Sequence, residues 1–204
     1  MKNKQPSISE GDFYASIERT MARGNHVEYL REVLNKYEYY KKEFAKIFTD
    51  KNPIKDIYTF RVRYHDKKTI WRDIELPGDH NFEDLAREII DSMGWDNDHM
   101  HGFEFSEYDR EQDPLMTGSS LAFFAEYWED DPHPTFKTND IRICELDYKK
   151  QPSFEFTFDY GDGHTFTVTY KGKRKRHEED NLREFPRLID QRGVGPEQYP
   201  PLPE

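Results

Sequence analysis

The segments IWRDIELPGDHNFEDLAREIIDSMGWDNDHMHGFEF (residues 70–105) and FEFTFDYGDGHTFTVTY (residues 154–170) decide the fold of this chain. In the first, apolar residues from Phe82 to Met93 recur at helical spacing, with Asn81 as a good N-cap and Gly94 as a stop. In the second, alternating aromatic residues flank a glycine-rich turn, which is typical of a β-hairpin. Together they predict an α+β fold, an antiparallel sheet packed by a central amphipathic helix.

Further strand patterns lie around these two segments. Residues 58–64 alternate between apolar and polar side chains, and a polar turn leads into a second alternating run that ends at Leu76. These two strands are expected to form a hairpin. The sequence HMHGFEF and the pair Ile141 and Ile143 each suggest one more strand, and residues 119–128 suggest a short helix within a loop-rich acidic region.

The first fifty residues have helical rather than strand periodicity. One helix is expected to end near Gly24, and a longer one to run from about His26 to Phe48, giving an N-terminal helical hairpin extension. We therefore divide the chain into an extension over residues 1–52 and an α+β domain over residues 53–204. The broad apolar face of the long helix either packs on the chain's own core or contacts a second copy or a partner protein, and spacing alone does not decide.

Composition excludes several classes of protein. The 204 residues carry a formal net charge of −11, which argues against a generic nucleic-acid binder and favours solubility or a basic partner. Hydrophobic residues make up only 34%, so 15 Phe, 13 Tyr and 3 Trp must supply much of the core. The single cysteine, Cys144, rules out an intramolecular disulfide and a thiolate zinc site. No signal-peptide-like or membrane-spanning apolar run is present, so we expect a cytoplasmic protein without membrane contact.

An ordered set of short motifs resembles a known family. The motifs, in chain order, are Ile70-Trp71-Arg72, Gly94-Trp95, Asp98-His99-Met100-His101, Phe158-Asp159-Tyr160-Gly161-Asp162 and Gly195-Pro196-Glu197-Gln198-Tyr199-Pro200. They are similar to those of the plasmid pRiA4b ORF-3-like family, whose members are also described as transposon-passenger proteins. The resemblance covers roughly residues 57–200 and implies an association with mobile genetic elements, but the family has no settled activity.

The resemblance also implies a polar cluster. The residues that could converge are His99, His101, Asp159, Asp162 and His164. His99 and His101 are two positions apart on an expected strand, so they would share a face. Imidazole and carboxylate groups together suit a divalent metal or acid–base chemistry, although a structural cluster or a non-catalytic binding pocket would use the same residues. We predict no cofactor; a metal, if bound, would use His99, His101, Asp159 and Asp162.

The chain departs from the family pattern just after the Phe158–Asp162 motif. Relatives usually have an aromatic residue there and often a histidine two positions later, whereas this chain has His164 and Phe166 at those positions. A histidine-dependent site in relatives would therefore be altered here, or His164 would replace the missing histidine from a neighbouring position.

Two cationic features suggest further contacts. Arg72 is in phase with Ile70 and Ile74, so it is expected to point toward the core and pair with Asp159 or Asp162, or else to line an anion pocket. A basic run follows an expected strand end and could contact phosphates, or could be a solvated loop neutralised by the acidic residues after it. The cations of this run are Lys171, Lys173, Arg174, Lys175 and Arg176.

The sequence favours a soluble binding or interaction module over an enzyme. It has no glycine-rich phosphate loop, no nucleophile elbow and no Cys/His zinc spacing. In this interpretation the N-terminal helices mediate self-association or contact with a protein partner. The alternatives are a metal-dependent hydrolase that acts on nucleic acid through the His/Asp cluster, and a nucleic-acid binder that uses the basic run.

Overall fold

A computed structural model of the chain describes residues 10–24, 26–32, 34–35, 47–105, 122–125 and 135–199. Within them, two α-helices, two short 3-10 helices and eight strands have defined bounds. The α-helices are α1 (Glu10–Ala22) and α2 (Phe82–Met93), and the 3-10 helices are Ile143–Glu145 and Leu182–Glu184. The strands are β1 (Ile57–Tyr64), β2 (Trp71–Pro77), β3 (His101–Phe105), β4 (Ala122–Ala125), β5 (Thr135–Lys137), β6 (Ser153–Phe158), β7 (His164–Arg174) and β8 (Arg187–Arg192).

The described strands form one sheet in the order β5-β4-β3-β6-β7-β1-β2-β8. Neighbouring strands are antiparallel except for the short β4–β5 pair. The two predicted hairpins are present, because β1 pairs with β2 and β6 pairs with β7. The α+β fold class predicted from the sequence is therefore confirmed.

Helix α2 begins and ends where the sequence indicates. The Asn81 side chain accepts a hydrogen bond from the Asp84 amide, and the Asp84 carboxylate accepts one from the Asn81 amide, which completes a capping box. Gly94 ends the helix with a φ of +79°, a left-handed conformation that favours glycine. The apolar side of α2 is buried, and it consists of Phe82, Leu85, Ala86, Ile89, Ile90 and Met93.

The two faces of the sheet differ in chemistry. One face holds the aromatic core; Phe60, Phe103, Phe156 and Phe166 on four different strands have no exposed surface. The side chains that alternate with them form the second face, which we call the polar face; it includes threonines and the Arg61–Asp73 ion pair. This division is typical of an antiparallel sheet with one face packed and one partly solvated.

The N-terminal region is only partly described. Besides α1, residues 27–32 and 34–35 are helical, whereas the rest of the long helix predicted up to Phe48 lies mostly outside the described residues. Phe48 forms a β-bridge with Leu146, and the Thr49 amide donates to the Glu145 carbonyl at 2.8 Å. Residues 47–49 are therefore attached to the α+β core, whereas the division made from the sequence assigns them to the extension. The role of the N-terminal helices in self-association stays a prediction.

Two local predictions are wrong. Ile143–Glu145 is a 3-10 helix rather than a strand, since the Ile143 and Cys144 amides donate to the carbonyls of His80 and Gly78 in the loop before α2. Within the helix expected over residues 119–128, the described residues 122–125 are strand β4, whose backbone pairs with the edge of β3. In both cases a distant backbone partner overrides the local pattern. None of the described helices has the length and apolarity needed to cross a membrane.

Glu88 should make the stability of the fold depend on pH. Burial on α2, reinforced by the nearby charge of Asp91, raises the pKa of Glu88 from 4.5 to about 7. The fold therefore favours the neutral carboxyl, and this stabilisation is complete below about pH 4.5 and lost as the pH rises through 7. Because the side chain is partly exposed and solvent screens its charge, we expect Glu88→Gln to raise the free energy of unfolding at pH 8 by only about 1–2 kcal/mol.

Chemical denaturation at pH 4 and pH 8 checks this expectation. The exposed Glu155, on β6, supplies the matched control, since Glu155→Gln removes the same charge from a solvated position. A Glu88→Gln variant whose stability relative to the unmodified protein is the same at both pH values would contradict the expectation.

Candidate functional site

The C-terminal segment 195–199 docks on residues 95–99, which connect α2 to β3. Trp95 Nε1 donates a hydrogen bond of 2.8 Å to the Pro196 carbonyl. The Gln198 side chain makes two bonds to the backbone of Asp96, accepting from its amide and donating to its carbonyl, each at 2.9 Å. Three hydrogen bonds thus hold the connection and the C-terminal segment in one arrangement.

Asp98 joins this docked segment through its carboxylate. Tyr199 Oη donates to Asp98 Oδ2 at 2.5 Å, and Gln198 Nε2 donates to Asp98 Oδ1 at 3.0 Å. The hydrogen bond from Tyr199 lowers the pKa of Asp98. The same bond, together with the charges of Asp98, Asp159 and Asp96, raises the pKa of Tyr199 to about 12. Three carboxylates, those of Asp96, Asp98 and Asp159, are thus close enough to act on the Tyr199 hydroxyl.

Asp159 connects this surface to the β6–β7 turn. Its Oδ1 accepts from the Gly161 amide at 2.9 Å and from the Asp162 amide at 3.4 Å, which stabilises the turn. Its other oxygen, Oδ2, lies 3.5 Å from His99 Nε2. Asp159 has a φ of +54° and is nearly buried, so the turn fixes the carboxylate that faces His99.

His164 holds the docked segment from the hairpin side. Its Nε2 lies 2.8 Å from the Gln198 carbonyl, and its ring centroid lies 4.4 Å from that of Trp95. A carbonyl only accepts, so Nε2 carries the hydrogen. Nδ1 lies 3.4 Å from Tyr64 Oη. The ring is buried, and its bond to the Gln198 carbonyl holds the segment against the hairpin.

His101 belongs to a different part of the molecule. Its side chain is fully buried, and Nε2 lies 3.2 Å from Glu83 Oε2, which also accepts a 2.6 Å hydrogen bond from Thr138 Oγ1. The bond from His101 lowers the pKa of Glu83. β3 begins at His101, so His99 precedes the strand and the two histidines do not share a strand face as predicted.

The structure thus divides the predicted polar cluster. His99, Asp159 and His164 lie around the docked C-terminal segment, and Asp162 lies in the β6–β7 turn that Asp159 stabilises. His101 instead contacts Glu83 of α2. The paired histidines proposed for a metal have different carboxylate partners, Asp159 and Glu83. In the described ranges, no group of three or more His, Cys, Asp or Glu side chains is arranged to hold a metal ion.

Arg72 does not pair with a carboxylate of the cluster. It is only 2% exposed, and its Nε donates to the Ser92 carbonyl at 2.9 Å, in the last turn of α2. Its Nη1 donates to the carbonyls of Trp71, Arg192 and Gly193 at 2.9 to 3.1 Å. Burial lowers the pKa of this guanidinium. The prediction of an Arg72–Asp159 or Arg72–Asp162 pair is wrong, because the side chain ties α2 to the end of β8 instead.

The basic run is only partly a loop. β7 continues to Arg174, so Lys171, Lys173 and Arg174 are strand residues, and Lys175 and Arg176 follow as exposed residues. Arg174 is neutralised by two carboxylates. Its Nη2 lies 3.1 Å from Glu75 Oε2, and its Nη1 lies 2.7 Å from Asp180 Oδ2. The predicted neutralisation by the following acidic segment is seen at Asp180, and it removes one cation from any phosphate-binding surface.

Residues 56–199 match the family model described as plasmid pRiA4b ORF-3-like protein. The chain belongs to this family. The match includes every strand of the sheet, helix α2 and the docked C-terminal segment. It ends at Tyr199, whose hydroxyl donates a hydrogen bond to Asp98.

A solved structure has the same fold as this pRiA4b ORF-3-like protein. It is the crystal structure of MM3350, a protein of unknown function from Methanosarcina mazei Go1. The two are 19% identical, with a TM-score of 0.54, and the similarity covers 70% of this chain and 72% of that chain. At this identity the likeness shows the fold alone. No curated protein matches this chain.

Residue patterns had not singled out the C-terminal segment as part of the site. Trp95 lies about one hundred positions from Gln198 and Tyr199 in sequence, and these three residues supply most of the hydrogen bonds that hold the segment. The available signal was the order of the pRiA4b ORF-3-like motifs, in which Gly94-Trp95 and Gly195–Pro200 both occur. Their contact required the structure.

Proposed function

We propose that this protein is a non-enzymatic interaction module that binds a basic segment of a partner protein. The binding site is the exposed surface around the docked C-terminal segment, which we call the acidic–aromatic surface. The observation that supports it is a set of carboxylates with no lysine or arginine in ion-pair contact among the described residues. These carboxylates are Asp96, Asp98, Asp159, Asp162 and Glu197.

Aromatic and apolar side chains accompany these charges. Met100, Tyr160 and Tyr199 are 40%, 37% and 47% exposed, values that few large apolar residues of the described core domain reach. Tyrosine rings attract lysine and arginine cations through their π faces, and carboxylates add charge-assisted hydrogen bonds. The combination suits a flexible basic peptide better than it suits a neutral or acidic one.

The surface is also organised in advance of binding. Gln198 joins the C-terminal segment to Asp96 and Asp98, and Asp159 is fixed by its turn. A surface whose side chains are already ordered loses less conformational entropy when a ligand binds. This supports recognition of a partner that is itself flexible. The high net negative charge of the chain would attract such a partner over long distances at low salt.

Fluorescence anisotropy with a labelled Lys/Arg-rich peptide tests this function. We expect binding that weakens with added salt, and the double variant Asp98→Asn/Asp162→Asn should reduce affinity about fivefold, since exposed charges each contribute roughly 0.2–1 kcal/mol. The matched control Glu178→Gln/Glu179→Gln removes two exposed charges elsewhere and should bind like the unmodified protein. Equal binding of a Glu-rich peptide, or equal loss in both double variants, would contradict the proposal.

A further inference from the structure

The polar face of the sheet contains a cavity of about 240 Å³ near the ends of β1 and β7. None of the residues that line this cavity belongs to the acidic–aromatic surface. Its lining is cationic and hydroxylic rather than acidic. The side chains that matter here are Arg61, Arg63, His65, Lys68, Thr167 and Thr169.

Strand register brings these residues together. Arg61 and Arg63 are two positions apart on β1, so both lie on the polar face. Across the β1–β7 ladder, Arg61 is opposite Thr169 and Arg63 is opposite Thr167. Lys68 comes from the turn between β1 and β2. Two strands and one turn thus place cations and hydroxyl groups around a single concavity.

One of the cations is already neutralised and held in place. Arg61 donates from Nε and Nη2 to the two Asp73 oxygens at 2.7 and 2.6 Å, a bidentate ion pair. Its guanidinium carbon lies 4.0 Å from the centre of the Trp71 ring, which restricts it further. Arg61 therefore lines the cavity in a fixed position, and its charge is balanced by Asp73.

The remaining charge of the cavity is uncompensated. Arg63 and Lys68 are exposed, and neither is within ion-pair distance of a carboxylate in the described part of the chain. His65 lies 3.8 Å from Asp66. Two unpaired cations beside two threonine hydroxyls form an electropositive site on a protein whose net charge is −11. Such a local reversal of sign concentrates anions there.

We propose that this cavity binds a phosphate group, as inorganic phosphate or as the phosphate of a small monoester. A guanidinium presents two parallel N–H donors to phosphate oxygens, and an ammonium adds a point charge. The threonine hydroxyls supply further donors for the remaining oxygens. A cavity of about 240 Å³ is smaller than the roughly 300–1,000 Å³ of sites for drug-sized ligands, which favours a compact anion. This inference is independent of the acidic–aromatic surface.

Isothermal titration with inorganic phosphate and with glycerol 3-phosphate tests the proposal on the full chain. We expect saturable binding of at least one of them in a chloride buffer of matched ionic strength. The double variant Arg63→Gln/Lys68→Gln should lower that affinity at least about tenfold. The matched control Lys171→Gln/Lys175→Gln removes two exposed cations outside the cavity and should leave it unchanged.

The relative affinities identify the source of the phosphate. If inorganic phosphate binds more tightly, the ligand of the cavity is the free anion. If glycerol 3-phosphate binds more tightly, the ligand is a phosphate monoester. Melting temperatures in chloride buffer establish that each variant is folded. If the double variant is unfolded, the single variant Lys68→Gln replaces it, because Lys68 lies in a turn. No saturable binding of either ligand, or an equal loss in both double variants, would overturn the proposal.

Discussion

Replacing Arg72 with methionine should lower the free energy of unfolding by about 3–5 kcal/mol. The guanidinium is buried and donates to four carbonyls, including Ser92 in α2 and Arg192 and Gly193 at the end of β8. Methionine fills a similar volume but donates nothing, so all four hydrogen bonds, including those that join α2 to the end of β8, would be lost. Each buried unsatisfied group costs about 1–3 kcal/mol, and the losses are not fully additive.

Urea denaturation of three variants measures this effect. Arg72→Lys keeps the charge but cannot reach the same carbonyls with a planar fork, so we expect a loss smaller than that of Arg72→Met. Arg63→Met, on the adjacent strand, removes an exposed arginine and should change stability by less than about 0.5 kcal/mol. If Arg72→Met and Arg63→Met had the same stability, the proposed tie between α2 and β8 would be wrong.

Replacing Gly195 with alanine should detach the C-terminal segment from the core. A Cβ at this position would lie 2.2 Å from the Met93 carbonyl oxygen and 3.0 Å from its carbon, both backbone atoms that cannot move aside. The segment would have to shift, and Trp95 would lose its bond to Pro196. We expect the free energy of unfolding to fall by about 2–3 kcal/mol, with a red-shifted tryptophan emission as Trp95 becomes hydrated.

Val194 provides the matched control for the Gly195 variant. It is the preceding residue and is 88% exposed, so Val194→Ala should leave both stability and emission unchanged. Affinity for the basic peptide should fall in Gly195→Ala as well, because Tyr199 and Gln198 would no longer position Asp98. An unchanged melting temperature and emission in Gly195→Ala would show that the segment is not seated against Met93.

The parts of the fold that the sequence predicted correctly are those with local determinants. The predicted N-cap at Asn81 and the predicted stop at Gly94 lie within fourteen residues, and the structure has both. The β6–β7 hairpin follows from alternating side chains around a glycine-rich turn. By contrast, Ile143 lies in a 3-10 helix because its amide is bonded to the distant His80.

The candidate site was predicted less well, because it depends on which distant residues meet. His99 and His101 are two positions apart, yet β3 begins at His101 and turns that side chain into the core toward Glu83. Arg72 was expected to pair with a carboxylate, but its side chain donates to main-chain carbonyls of α2, β2 and the end of β8 instead. The family motifs include most of the residues at the docked C-terminal segment, but they do not show which of these residues contact one another.

Local residue patterns were enough to predict the α+β class, the position and caps of α2, the two hairpins and the membership in the pRiA4b ORF-3-like family. These features depend on periodicity, on turn and cap residues and on short motifs, which extend over a few positions. The acidic–aromatic surface and the cationic cavity could be identified only in the folded chain. Asp98 meets Tyr199, and Arg63 meets Thr167, across about one hundred residues of chain. Such contacts follow from strand order and register, which no local pattern specifies.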